Sequence, residues 1–223
     1  MTGAILLVRH GETEWNLERR IQGRFDSPLT GRGVAQAHAI GRLVSSLFGT
    51  TSVRLVASPL GRAMDTAKII AEHLPTRPEL LIDGRLQEIS TGSWDGLTFR
   101  EIELRCPGIF EGDGRYEWNF RAPGGETYEA FAVRIADWLS SAVEEPLTIA
   151  VTHGVVSRVA RGLYARLPRE VALMLSVQQD RIFRLAGGSI EELVVRQPGA
   201  SLAHAGAGRG ERLHGAIDKG RSP

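Results

Sequence analysis

Ala4-Ile5-Leu6-Leu7-Val8 runs directly into Arg9-His10-Gly11-Glu12-Thr13. An apolar run without polar alternation reads as a strand buried on both faces, as in a parallel sheet. The polar residues after it then fall at the strand's carboxyl end, where open α/β sheets place their chemistry. A neutral imidazole there can attack phosphorus, and a neighbouring guanidinium can hold an anionic phosphoryl group through paired hydrogen bonds.

Outward from this stretch, strands and helices alternate. Thr30 is placed to cap a helix whose apolar residues Val34, Ala37, Ile40, Val44 and Leu47 recur at helical spacing. Residues 53–57 read as a second strand ending at Ser58-Pro59, residues 60–74 as a helix, and residues 80–82 as a short strand leading to Leu86-Gln87-Glu88. Residues 126–143 are periodic again, and residues 147–151 form a buried strand that ends in Thr152-His153-Gly154, much as the first ends in Arg9-His10-Gly11. A helix over 155–167 and strands over 173–177, 182–185 and 192–195 follow. The order predicts an α/β fold, a three-layer sandwich with a mainly parallel central sheet covered by helices on both faces.

Between these elements, residues 92–125 lack periodicity and carry Trp94, Cys106-Pro107, Gly112, Gly114, Trp118 and Pro123-Gly124-Gly125. They read as a loop-rich insertion over one end of the sheet, since long connections in compact domains usually serve function. From Pro198 onward glycine, alanine and charge replace apolar periodicity, so residues 1–197 are expected to form the domain and 198–223 a flexible tail. Gly206, Gly208 and Gly210 lack both a leading strand and the full GxGxxG spacing, and no Walker-type loop occurs.

A chain of 223 residues suffices for one substantial core. The net charge of +1 and the lack of a basic stripe interleaved with aromatics argue against nucleic acid as a partner. Lys68 and Lys219 are the only lysines, an arginine bias that reads as genome composition. Cys106 stands alone, which rules out an intrachain disulfide. The first apolar run stops at Arg9, too short for a signal-peptide core or a membrane span, so a cytoplasmic protein without a membrane partner is the expectation.

Two strands ending in histidine bring His10 and His153 into consideration together, each followed by a glycine that permits close approach of the backbone to an anion. The helix after His153 would turn its free amides and positive dipole end toward the same region. Arg62, leaving a strand at Ser58-Pro59-Leu60-Gly61, can reach that sheet end as well, and Glu88 is placed to reach a leaving group. Singly, each has an ordinary reading: a structural histidine, a surface ion pair, a loop carboxylate. Two histidines and a carboxylate can also ligate zinc, but Arg9 and Arg62 beside them oppose a dication, so neither metal nor cofactor is expected.

RHGETEWN at 9–16, SPLTGRGVAQA at 27–37, SPLGRAMDTA at 58–67, LQE at 86–88, PGGET at 123–127 and VTHG at 151–154 together resemble the histidine phosphatase superfamily, also called the phosphoglycerate mutase-like family. The resemblance spans about three-quarters of the chain and implies a phosphoglycerate mutase-like fold. It implies that His10 is the nucleophile forming a phosphohistidine, and that Arg9, Arg62 and His153 bind the phosphoryl oxygens. By the same resemblance Asn16, Gln22, Gly23 and Gly154 belong to the substrate pocket and Glu88 is the proton donor. No metal takes part.

The superfamily holds mutases and phosphatases that share the first half-reaction. Glycolytic mutases follow the donor glutamate with an arginine, whereas Ile89-Ser90-Thr91 stands here, and QEISTGSWDGLT is similar to the smaller bacterial phosphatases. A histidine acid-type phosphatase, a phosphoric monoester hydrolase acting on a small phosphorylated metabolite, is therefore favoured. A mutase, with Arg100, Arg105, Arg115 and Arg121 as carboxylate contacts, and a catalytically idle phospholigand binder are the alternatives. Trp94, Tyr116, Trp118 and Phe120 are candidates for an apolar wall over the leaving group.

Overall fold

Ile5, Leu6, Leu7 and Val8 are all buried, and alternate members face opposite sides of a six-stranded sheet. The computed structural model describes residues 3–111 and 116–196. Within them the elements run β1 (Ala4–Arg9), α1 (Glu14–Leu17), α2 (Gly31–Phe48), β2 (Arg54–Ala57), α3 (Gly61–His73), β3 (Leu80–Ile82), α4 (Phe99–Arg105), α5 (Tyr128–Ala142), β4 (Leu147–Thr152), α6 (Gly154–Tyr164), α7 (Arg169–Leu173), β5 (Arg181–Ala186) and β6 (Ser189–Val194). Single 3₁₀ turns occur at Gly84–Leu86, Gly92–Trp94 and Glu117–Phe120.

The strand order is β3-β2-β4-β1-β5-β6. The first four are parallel, and β5 and β6 add an antiparallel hairpin at one edge. On one face Leu6, Val8, Leu55 and Ile149 pack against Ala39, Ile40 and Val44 of α2 and Ala63, Ala67 and Ile70 of α3. On the other, Ile5, Leu7, Val56 and Ala150 meet Phe131, Ile135 and Trp138 of α5 and Val156, Val159 and Ala160 of α6. This is the expected three-layer α/β sandwich with a mainly parallel sheet. Burying side chains of this size on both faces stabilises the fold by about 1.5–3 kcal/mol each.

The predicted cap holds: Thr30 Oγ1 accepts from Gly33 N at 3.0 Å. The start of α3 is capped from outside the helix, because Leu60 offers no side-chain acceptor and Asp26 accepts from Gly61 N at 2.6 Å instead.

Two sequence expectations need correction. Residues 173–177 form no strand; α7 ends at Leu173 and the chain then runs irregularly. Its carbonyls bond to guanidinium groups rather than to a ladder: Leu175 O accepts from Arg158 Nε at 2.8 Å, Ser176 O from Arg161, and Val177 O from Arg9 Nη1 at 2.8 Å. The insertion at 92–125 is not merely loop. Among its described residues it holds α4 and a small core of Trp94, Ile102, Trp118 and Ala122, whose apolar side chains are too far apart in sequence to show as one period. Gly112, Gly114 and Arg115 lie outside the described residues, as does the expected tail at 198–223.

Gly11 also packs closely on α2. A Cβ there would lie 2.4 Å from Gly33 O, and one on Gly33 would lie 2.0 Å from Glu12 O. The glycine after His10 thus lets the loop lie against α2. Alanine in place of a helical glycine ordinarily adds about 1 kcal/mol. At this contact the sign is expected to reverse, with Gly33→Ala costing about 1–3 kcal/mol from overpacking in urea unfolding; a stabilised variant would show that the loop yields freely.

Candidate active site

In the parallel pairing of β1 with β4, Arg9 stands opposite Thr152. His10 N continues the ladder by donating to Thr152 O at 2.9 Å. The next residue on each strand is a histidine, and the two rings lie with centroids 5.2 Å apart. His10 Nδ1 is 2.8 Å from Gly11 O. A carbonyl can only accept, so Nδ1 carries the proton and Nε2 keeps its lone pair. Burial, with Arg62 and Arg9 adding to it, pushes the His10 imidazole well below its ordinary pKa, and burial does the same to His153. Both are therefore neutral near pH 7.

Arg62 enters from the first turn of α3. Its Nη1 donates to Phe25 O at 2.6 Å and to Asp26 Oδ1 at 2.9 Å, and its Nη2 to Gly23 O at 2.9 Å. Gly23 has φ +51°, and a Cβ there would lie 1.7 Å from Asp95 Oδ1, so only glycine fits. Burial lowers the pKa of Arg9 to about 10 against the opposing pull of Glu88, which leaves it charged at neutral pH.

Glu88 follows the turn at Gly84–Leu86, and its Oε2 accepts from Val155 N in the first turn of α6 at 3.2 Å. One of the amides expected to face the site is thus used by this carboxylate. Four successive carbonyls leading to it are held by side chains. Arg134 donates to the carbonyls of Arg85 at 2.6 Å, Gln87 at 2.9 Å and Glu88 at 3.4 Å, while Thr152 Oγ1 donates to Leu86 O at 2.9 Å. Arg134 is itself fixed by Glu126, at 2.7 and 2.8 Å.

The site opens on a cavity of about 300 Å³. Of the sequence candidates, Arg9, His10, Asn16, Gln22, Gly23, Arg62, Glu88 and Gly154 line it. His153 is fully buried against the His10 ring, with Nε2 2.8 Å from Ser58 Oγ, and does not form the cavity wall. Tyr116 and Trp118 line the cavity, whereas Trp94 sits in the insertion's own core and Phe120 packs on Tyr128 and Phe131. Arg100, Arg105 and Arg121 stay off the cavity wall.

Among the described residues, the buried polar side-chain atoms without a hydrogen-bond partner include Arg9 Nε, Arg62 Nε, His153 Nδ1 and Gln22 Oε1. Buried polar groups are normally satisfied. Their concentration on the candidate residues marks a place built to receive a polar ligand. No group of three or more His, Cys, Asp or Glu able to hold a metal ion comes together among the described residues, and no described helix is long and apolar enough to cross a membrane.

Sequence reasoning missed Arg134 and Arg158. Arg134 left no signal, because its partners are carbonyls brought to it by the fold; Glu126 was visible in PGGET, but not its role. Arg158 could have been found as a charge on the helix that starts at His153, in its second turn.

Comparison with known proteins gives the family and the fold. The profile of the histidine phosphatase superfamily (branch 1) matches residues 5–194. The probable phosphoglycerate mutase GpmB of Salmonella paratyphi C is 38% identical over 161 residues, 68% of this chain and 69% of that protein. The mycobacterial glucosyl-3-phosphoglycerate phosphatase superposes with a TM-score of 0.71 at 27% identity, covering 86% of this chain and 96% of that one. A phosphoglycerate mutase from Bacillus anthracis shares the fold at a TM-score of 0.68 and 20% identity, over 87% and 93% of the two chains.

The two neutral imidazoles tie stability to pH. Each binds a proton near pH 6.5 once unfolded but not in the fold, so its contribution is full above pH 6.5 and is lost as pH falls below it. Urea unfolding is expected to show stability dropping from pH 7.5 to 5.5, each histidine adding a slope of up to about 1.4 kcal/mol per pH unit. His153→Asn should flatten that slope. An unchanged slope would mean that the ring accepts a proton in place.

Proposed function

The chain belongs to the histidine phosphatase superfamily, and on that footing we propose that it is a phosphomonoesterase acting on a small phosphorylated metabolite through a phosphohistidine at His10. One observation carries the reading: a neutral histidine with a free Nε2 lies among buried guanidinium groups whose Nε atoms have no protein partner. A nucleophile and an anion clamp are thereby set side by side.

In the first step His10 Nε2 attacks phosphorus and forms the P–N bond. The P–O bond to the leaving group breaks, and the leaving oxygen takes the electron pair and a proton from Glu88. In the second, water attacks the phosphohistidine, Glu88 takes its proton, and the P–N bond breaks to release orthophosphate and restore the neutral imidazole. Arg9 and Arg62 hold the equatorial oxygens as charge spreads over them. With Ser58 Oγ donating to His153 Nε2, His153 Nδ1 has a proton to offer a phosphoryl oxygen. Thr13 Oγ1 lies 2.9 Å from the Gln22 amide and can serve either end of it, so Gln22 can also turn its Nε2 to the anion. Asn16 Oδ1 is held by Gln179 Nε2 at 3.0 Å, which leaves its own amide nitrogen for the ligand. Gly23 supports Arg62 through its carbonyl, and Gly154 keeps the wall beside Arg9 low. Cationic side chains stand where other phosphoryl-transfer sites use Mg²⁺, so no metal takes part.

The name of the Salmonella relative favours a second reading, transfer of the phosphoryl group within a phosphoglycerate. Water as acceptor is the better reading, because Ile89 follows Glu88 and the described insertion arginines do not line the cavity.

Purified protein is expected to hydrolyse p-nitrophenyl phosphate in EDTA, to carry acid-labile phosphate on His10, and to lose activity in His10→Ala. A requirement for an added divalent ion, or activity in that variant, would refute the mechanism. Conversion of 3-phosphoglycerate to 2-phosphoglycerate faster than phosphate release would favour the mutase. Leaving groups separate the role of Glu88 from that of Arg134. Glu88→Gln should slow hydrolysis of an alkyl phosphate by about 10²–10⁴-fold and that of p-nitrophenyl phosphate much less, since nitrophenolate leaves unprotonated. Arg134→Gln, acting by displacing Glu88, should show the same bias to a smaller degree; an equal loss on both esters would make Arg134 merely structural.

A further inference from the structure

Arg158 stands in the second turn of α6 and is 8% exposed. Its Nε donates to Leu175 O at 2.8 Å, and its Cζ lies 3.7 Å over the Tyr116 ring. Held on an edge and a face, the guanidinium is fixed in place, and it borders the cavity. Beyond the Tyr116 side chain and the attraction of Glu88, it has no hydrogen bond to a carboxylate among the described residues. A guanidinium taken out of water is costly unless paired, and its planar fork matches a bidentate anion better than any other side chain does.

Its position along α6 assigns its side of the cavity. Val155, whose amide anchors Glu88, and Arg158 are three residues apart and share a helix face, with Arg158 roughly 4.5 Å further along the axis. Attack in line from His10 directs the leaving oxygen toward Glu88. What lies beyond Glu88, between α6 and the insertion that supplies Tyr116, receives the rest of the leaving group.

We propose that Arg158, stacked on Tyr116, is a specificity residue that selects phosphomonoesters whose leaving group bears a second anionic group, a carboxylate or a further phosphate. The proposal rests on the phosphomonoesterase reading of the same site and adds the substrate class. The mutase-type carboxylate contacts expected from Arg100, Arg105 and Arg121 are thereby replaced by one from α6.

The test compares three esters of one carbon skeleton: the phosphate of 3-hydroxypropionate, propane-1,3-diol bisphosphate and propyl phosphate. For the intact protein, kcat/KM is expected to be about 10- to 100-fold higher for at least one of the two doubly anionic esters than for propyl phosphate. The better of the two identifies the second anion. Arg158→Gln should bring that ratio to within about threefold of unity. Equal kcat/KM for all three in the intact protein would overturn the proposal. So would an equal proportional loss on all three in the variant, since Arg158 would then be holding the transferred phosphoryl group. A calorimetric comparison of 2-carboxyethylphosphonate and propane-1,3-diylbisphosphonate with propylphosphonate reads the subsite without turnover or substitution. Tighter binding of either doubly anionic compound, by about 10-fold or more, supports the subsite even if no ester is hydrolysed, an outcome that would count against the phosphomonoesterase reading alone. Equal affinity for all three phosphonates would overturn the subsite while leaving phosphatase activity intact.

Discussion

The parallel pairing of β1 with β4 is the constraint on which the rest depends. With Arg9 opposite Thr152, the two histidines that end these strands must stand side by side. A shift of one residue would turn every side chain of β1 to the other face. Ile5 and Leu7 belong to one core layer and Leu6 and Val8 to the other, so packing on both faces opposes such a shift. The geometry of the two imidazoles is thus secured by residues that never touch a ligand.

Around this pair, guanidinium groups do work that backbone ladders do elsewhere. Arg158, Arg161 and Arg9 bond the successive carbonyls of Leu175, Ser176 and Val177, and Arg134 with Thr152 holds those of residues 85–88. Irregular chain can therefore lie beside the site without leaving buried carbonyls unpaired. The cost is desolvation of charge. Burial lowers the pKa of Arg9 and Arg161 to about 10, still far enough above neutrality to keep them cationic. Arg9 has both functions at once: one nitrogen anchors Val177, while Nε remains buried and unpartnered beside the cavity.

Neutral histidines among cations follow from the same environment. Burial and the two arginines favour the uncharged imidazole, which has a nucleophilic lone pair. An anion in the cavity would offer the orphaned nitrogens the partner that the fold withholds. Part of the folding free energy is in this way stored at the site as unsatisfied polar groups.

The sequence by itself determined the alternation of the parallel strands with the long helices, the two strand ends that carry His10 and His153, and, through its motifs, Arg62 and Glu88 as their companions. These were legible because buried parallel strands are continuous apolar runs, helices have a fixed period, and Thr30 has a capping geometry set within a few residues. The tertiary structure alone decided that residues 173–177 are not a strand, that the insertion builds its own small core, that Gly11 serves α2, and that Arg134 and Arg158 belong beside the site. Each of these depends on partners distant in the chain: a guanidinium meeting a carbonyl, a glycine meeting another backbone, a tryptophan meeting an isoleucine. Local periodicity records which face a residue shows, but not what the fold brings against it.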